Sequence, residues 1–415
     1  VLEAWFKPME STDHPPAGAL KIGLSADSSH LIIRSQAPYA DLVGDFSFGI
    51  EEEYFLADTR TFDVIRSSPD ALFDAANWQT GSQVTREFLQ GQIEVATNIH
   101  TSFAAAGEEL KFLRGEVARA AQQFGMVILA CGTHPTAKWS EAVSSPKPRY
   151  RDMMDDLQMV GRRDLLCGMH VHVRIPDPDS RVDVMCRMIP YLPLFLALST
   201  SSPFWDSRRT GLKGYRLAAY DELPRTGVPD LFRSTAEFER YVRGLVASDV
   251  IKDATYLWWM ARPSPTHPTL ELRATDCCTR IEDALSLAAL YRAVVRHLYR
   301  NPAKNADIDA VGRAFAVENK WRAQRYGVQG TFATENRAMP VAELLEEVIN
   351  LVTPDAEHLE CLHEVTRCRE IVRSGTSSDR QLKEFERASR TGSHQDALQR
   401  VCAWIAETTV EHART

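Results

Sequence analysis

Four short stretches place charged or imidazole side chains at every second position inside otherwise apolar runs: FGIEEEYFLAD (48–58), QGQIEVAT (90–97), GMHVHVR (168–174) and TLELR (269–273). A β-strand turns alternate side chains to opposite faces, so each stretch reads as a strand with one polar stripe. In the first, Phe48, Ile50, Glu52, Tyr54 and Leu56 share one face, and Gly49, Glu51, Glu53 and Phe55 share the other. Gln92 and Glu94 oppose Ile93 and Val95; His170 and His172 oppose Val171 and Val173; Thr269, Glu271 and Arg273 align. Such strands direct the chain to a sheet with one apolar and one charged face, as antiparallel sheets commonly have.

The charged face has a cost. Glu51 and Glu53 are neighbours about 6.6 Å apart along one strand, and at an effective dielectric near 20 they repel by about 2.5 kcal/mol. Water at an exposed strand end, nearby arginines or a divalent cation held by oxygen ligands would each offset this. Carboxylates with a histidine suit Mg2+ or Mn2+, and the lack of cysteine at these positions argues against a structural zinc site.

The remaining pattern is mixed α and β. After the first two strands comes a helix through Leu110, Leu113, Val117 and Phe124, then the apolar strand MVILACG (126–132). A mainly helical insertion, about 176–255, separates the third and fourth stripes. Thr279 and Glu282 read as a capping box for a helix carrying Leu287, Leu290, Tyr291, Val294, Val295 and Leu298, which stops at Asn301-Pro302. Amphipathic segments at 341–352, 356–373 and 380–408 make the C-terminal third helical. Residues 1–44, rich in Pro, Ser and Asp, read as an N-terminal extension, and 45–415 as a single catalytic domain.

Composition excludes several classes. With 48 basic against 56 acidic residues the net charge is -8, which argues against non-specific nucleic-acid binding. MIPYLPLFLAL is too short and proline-broken to span a membrane, and the N-terminus lacks a signal-like pattern, so the expected location is cytoplasmic. The eight cysteines form no CxxC pair and read as free, buried thiols; the adjacent Cys277 and Cys278 are the most metal-like or redox-like. No P-loop motif occurs. The His-x-His pair invites an amidohydrolase barrel or a cupin, but in a barrel the pair opens the first strand, whereas His170 comes late and only His267 and His297 follow it in the mixed region.

With FGIEEEYFLAD, GQIEVAT, GTHP, CGMHVHVRIPD, YLPLFLALSTSSPFW, GYR, LWWMARPSPTHPTLELRATD, WRAQRYG and GTSSDRQ in this order, the chain resembles the ATP-dependent carboxylate-amine ligases of the glutamate-cysteine ligase type 2 family, relatives of glutamine synthetase, from about Asp45 to about Arg380. The resemblance implies an α+β fold: a curved, mainly antiparallel sheet, covered by helices, with a concave active-site face. It also implies ATP and Mg2+ (or Mn2+), small-molecule carboxylate and amine substrates joined through an acyl phosphate, and a homodimer as the family's suggestion. By motif, Glu51, Glu53, Glu94, His170 and Glu271 become metal ligands, with Glu53 also catalytic, and Arg273 meets the transferred phosphate. His172 would support a ligand, bind substrate or simply pack; Arg262 would grip a substrate carboxylate or form a salt bridge; Arg322 and Arg325 would touch nucleotide or substrate.

The chain also departs from the family pattern. Met260 replaces an acidic residue in the WWDIRPSP-like motif, Arg174 a glycine after HVHV, and Arg208-Arg209 an acidic loop. The ligand positions are kept while the substrate is left open, so an amide hydrolase on the same metal scaffold and a non-catalytic binding descendant stand as alternatives.

Overall fold

The computed structural model describes residues 46–411; the expected extension over 1–44 lies outside them. The charged stretches form the expected strands: β1 (Phe48–Asp58), β2 (Val84–Arg86), β3 (Gln92–Ala96), β4 (Met126–Leu129) and β5 (Gly168–Arg174). Short pairs follow, β6 (Phe204–Trp205) with β7 (Arg208–Arg209) and β8 (Thr226–Gly227) with β9 (Trp258–Trp259), before β10 (Ala261–Pro263) and β11 (Thr269–Asp276) return to the main sheet. A separate hairpin joins β12 (Thr331–Ala333) to β13 (Ala338–Pro340).

The main sheet runs β10-β11-β5-β1-β3-β2, with β4 also on β1, and each of its pairings is antiparallel. β1 is long enough to serve three partners. Its first half pairs with β5, its end with β4 along the same edge, and its middle with β3 on the other edge.

Helices fill the intervals: α1 (Asp70–Thr80), α2 (Phe103–Gln123), α3 (Pro148–Leu157), α4 (Met159–Arg162), α5 (Ser180–Met188), α6 (Leu192–Ser199), α7 (Tyr215–Tyr220) and α8 (Thr235–Ala247). After the sheet come α9 (Ile281–Arg300), α10 (Ala310–Tyr326), α11 (Val341–His358), α12 (Leu362–Ser374), α13 (Ser377–Ala388) and α14 (His394–Thr409). Helix α2 packs on β4 and on α9, α9 on β5, and α14 on β4. The segment expected at 380–408 is therefore two helices, broken by the turn at Ser389–Ser393. Ser180–Ser199, long and apolar enough to cross a membrane, is α5 and α6 joined through Ile189–Tyr191, and it is mostly buried within the protein.

One local expectation is corrected. Helix α9 is capped at Arg280 with no side-chain bond, and Thr279 is not its capping residue. The Thr279 hydroxyl instead donates to the Ala130 carbonyl at 2.7 Å, a tertiary bond that outcompetes the local cap. The spaced residues Leu287 to Leu298 are all buried as the helical period requires. All eight cysteines are free and buried.

Candidate active site

Strand register turns the four stripes into one row. Glu51 lies opposite His170, Glu53 opposite Glu94, Glu271 opposite His172, and Arg262 opposite Glu271. His170 Nδ1 stands 3.4 Å from a Glu51 oxygen and 3.9 Å from Glu271 Oε1, while its Nε2 is 3.9 Å from Glu53 Oε1. His172 Nε2 is 3.5 Å from Glu51 Oε1, and its Nδ1 is 2.9 Å from the Thr269 hydroxyl. One donor atom each from Glu51, His170 and Glu271 fall within 4.8 Å of one another, a spacing that suits one cation. Glu53 and Glu94 adjoin this triad at the next position along the row.

The row has two electrostatic halves. Burial by itself would raise Glu51, but His172 and His170 hold its carboxyl well below the usual range. Burial likewise opposes Glu271, where Arg262 and then Arg273 win and keep it ionised. The Arg262 Nε and Nη2 both donate to Glu271 Oε2, at 3.1 and 2.6 Å, and Arg273 pairs with Oε1.

At the other half compensation fails. Burial, then Glu87, raise Glu53 to about 8 against the pull of Arg216, and burial, Glu87 and Glu51 push Glu94 well above its ordinary value. Asp164 rises to about 8 for the same reasons, burial first and Glu87 second. Burial and Arg273 lower His170 to about 4, so its imidazole is neutral at pH 7 and free to ligate.

A divalent cation fits this set. The donors are carboxylate oxygens and a neutral imidazole, and the His170 Nε2 is buried with no hydrogen-bond partner although Glu53 lies close by. Cation binding would also release the protons that burial forces onto Glu53 and Glu94.

The weaker sequence candidates divide. His172 and Arg262 stand in the row, with Arg262 spent on Glu271 and on the carbonyls of Thr255 and Leu257. Arg322 donates to Thr331 of the separate hairpin, and Arg325 is exposed with its guanidinium over the Tyr326 ring, so neither is joined to the row.

Glu87, Asp164, Arg216 and Tyr220 went unnoticed in the sequence. Glu87 and Asp164 sit in loops with no periodicity, and Arg216 and Tyr220 on the six-residue α7; only the GYR motif offered a signal. Among the departures, Met260 is buried and lends its carbonyl to the Arg273 amide at 2.8 Å. Arg208 and Arg209 form the exposed β7, Arg209 facing Glu386.

The model of glutamate-cysteine ligase family 2 matches residues 47–403. The chain belongs to that family. Family 2 is a family of ligases that form carbon–nitrogen bonds, and its span here covers every residue of the row. A relative from Bradyrhizobium sp. (strain ORS 278), named "Putative glutamate--cysteine ligase 2", is 56% identical over 394 residues, 95% of each chain. One of the same name from Rhodospirillum rubrum is 46% identical over 357 residues, 85% of this chain and 92% of its own. The family fold recurs at low identity. A Francisella tularensis glutamate–cysteine ligase in complex with AMP superposes with a TM-score of 0.65 at 14% identity, covering 89% of this chain and 90% of that one. A bifunctional glutathione synthetase from Pasteurella multocida gives 0.67 at 14% identity, covering 88% of this chain and 53% of that one.

Proposed function

We propose that this chain is an ATP-dependent ligase that activates an amino-acid-like carboxylate, with glutamate as the first candidate, as an acyl phosphate and joins it to an amine. Residues 45–415 act as its single catalytic domain. The observation that carries this reading is the row itself: Glu51, Glu53, Glu94, His170 and Glu271 gathered by strand register beside Arg273. The names of its relatives support glutamate as donor and cysteine as one candidate amine.

Mg2+ or Mn2+ bound at the row would neutralise the phosphates and orient them for in-line transfer. The five ligand residues would hold it, and the negative charge of Glu87 acts on Glu53 and Glu94. Arg273 is anchored at one end to Glu271 and reaches the Tyr220 hydroxyl at 3.3 Å, while its buried Nε has no partner. That leaves part of a planar guanidinium fork for a tetrahedral oxyanion. Arg216 brings a second guanidinium to the same place, 5.6 Å over the Tyr220 ring that Arg273 also reaches, and no ion pair joins it to a carboxylate among the described residues. Both arginines thus bind and orient the transferred phosphoryl group, and the row's burial excludes water that would hydrolyse an acyl phosphate.

The deciding assay supplies Mg2+, ATP, a panel of carboxylates including L-glutamate, and either amines or hydroxylamine, and follows phosphate and acyl hydroxamate. Phosphate release that depends on both carboxylate and acceptor is expected. Amide cleavage without ATP would replace this reading with the hydrolase.

A further inference from the structure

Four motifs supply no metal ligand to the row: STSSP (199–203), GYR (214–216), the TD end of β11 (275–276) and GTSSDRQ (375–381). In the fold they meet at one buried point. The Asp276 carboxylate accepts from the Ser202 hydroxyl at 2.6 Å and from the Ser201 amide at 2.9 Å. The Ser202 oxygen in turn accepts the backbone N–H of Arg216 at 3.0 Å, and the Ser202 carbonyl accepts that of Tyr215 at 3.1 Å. From the C-terminal helices, the Gln381 amide donates to the Ser201 carbonyl at 2.8 Å, and Ser378 N–H to the Thr200 carbonyl at 3.1 Å. Gly132 is pressed against the same carboxylate: a Cβ there would lie 2.6 Å from Asp276 Cγ.

What this junction holds is the root of Arg216. That side chain is 3% exposed; its Nη1 donates only to the carbonyls of Arg273 and Thr275, at 3.3 and 3.2 Å, and its Nε is buried without a partner. Its Cζ fills the space beside Gly168, 2.7 Å from where a Cβ would stand, and His170 Nε2 is 3.1 Å from that same point. A buried guanidinium with no carboxylate of its own is oriented by its backbone and by those two carbonyls. Short α7 offers little rigidity of its own, so the Ser202–Asp276 pair supplies it.

We propose that Ser202 and Asp276 are positioning residues: they fix the start of α7 so that Arg216 presents its guanidinium beside Gly168 and His170, at the phosphoryl end of the row. The inference rests on the ligase reading. It also gives GTSSDRQ a role, since α13 clamps the loop that carries Ser202.

The test measures kcat, KM for ATP and melting temperature for the full chain with Mg2+, ATP, L-glutamate and hydroxylamine. Removing the hydroxyl in Ser202→Ala should lower kcat about 10- to 100-fold, the scale set by misplacing a reacting group by about 1 Å, with KM for ATP little changed. Ser202→Thr keeps the hydroxyl and should restore most of the rate. Arg216→Gln should lose at least as much as Ser202→Ala, and adding Ser202→Ala to it should cost nothing more, because both act through one guanidinium. Full kcat in folded Ser202→Ala, or losses that multiply in the double variant, would overturn the positioning role. Full kcat in Arg216→Gln would overturn it too while leaving the ligase reading intact. A wild-type protein that forms no hydroxamate with any carboxylate of the panel would overturn both.

Discussion

Strand β1 carries three consecutive glutamates, and its two faces treat them in opposite ways. On the apolar face Glu52 is fully buried, yet it accepts from Arg114 Nε at 2.8 Å and Nη2 at 2.6 Å, and from the Tyr54 hydroxyl at 2.6 Å. Arg114, equally buried on α2, gives its remaining protons to the carbonyls of Thr279, Cys278 and Thr409. The charge is closed within the protein. On the polar face Glu51 is half-buried and Glu53 buried among further carboxylates, and Glu53 obtains only the Gly168 amide, at 2.6 Å, with partial relief from distant arginines. Identical side chains on adjacent residues are thus structural where the fold completes their hydrogen bonds, and available for a ligand where it does not.

The contrast breaks most visibly on the structural side. Arg114→Met should cost roughly 3–5 kcal/mol, because it leaves Glu52 buried and unpaired. Denaturant titration would show this, and adding Glu52→Gln should recover a large part of it. The folded fraction of Arg114→Met should keep near-wild-type kcat, since neither partner faces the row.

Glu53→Gln should do the reverse, abolishing ATP-dependent turnover while the metal-free fold gains stability. A carboxyl with a folded pKa of about 8 against 4.5 in the unfolded chain binds its proton more tightly when folded. Its contribution is therefore neutral below about pH 4.5 and becomes a growing penalty as pH rises toward 8. Metal-free wild type should fall behind Glu53→Gln across that window, by roughly 3 kcal/mol near pH 7. Saturating Mg2+ should remove much of the gap. Parallel pH–stability curves without metal would refute the unbalanced half of the row.

Arg273→Lys sharpens the comparison within the polar face. It keeps the charge but loses the two-pronged fork, so kcat should fall about 10²-fold, about 2.7 kcal/mol, with modest change in nucleotide affinity. A lowered melting temperature with normal kcat would make Arg273 a structural partner of Glu271 instead. The smallest effect is expected from Glu87→Gln, which keeps the main ligands and should weaken Mg2+ binding about tenfold, about 1.4 kcal/mol by calorimetry.

Strand alternation is a local property with a period of two, and the sequence by itself therefore determined which of Glu51, Glu52 and Glu53 share a face, and likewise for Glu94, His170 and Glu271. Long motifs in fixed order carried the family and the sheet-and-helix architecture in the same way. Tertiary structure alone decided the partners. Arg114 reaches Glu52 across 62 positions, and Ser202 meets Asp276 across 74. The charges of Glu87 and Asp164 act on the row and its arginines from loops whose course no repeating pattern predicts. The Thr279 hydroxyl faced a choice between a helix cap and a distant carbonyl, and only the packed fold brought Ala130 within reach. Which face a side chain takes follows from backbone geometry over a few residues, whereas which charge neutralises it depends on how distant segments close together. For that reason the row and its repulsion were legible in the sequence, and the partners that balance one half of it and not the other were not.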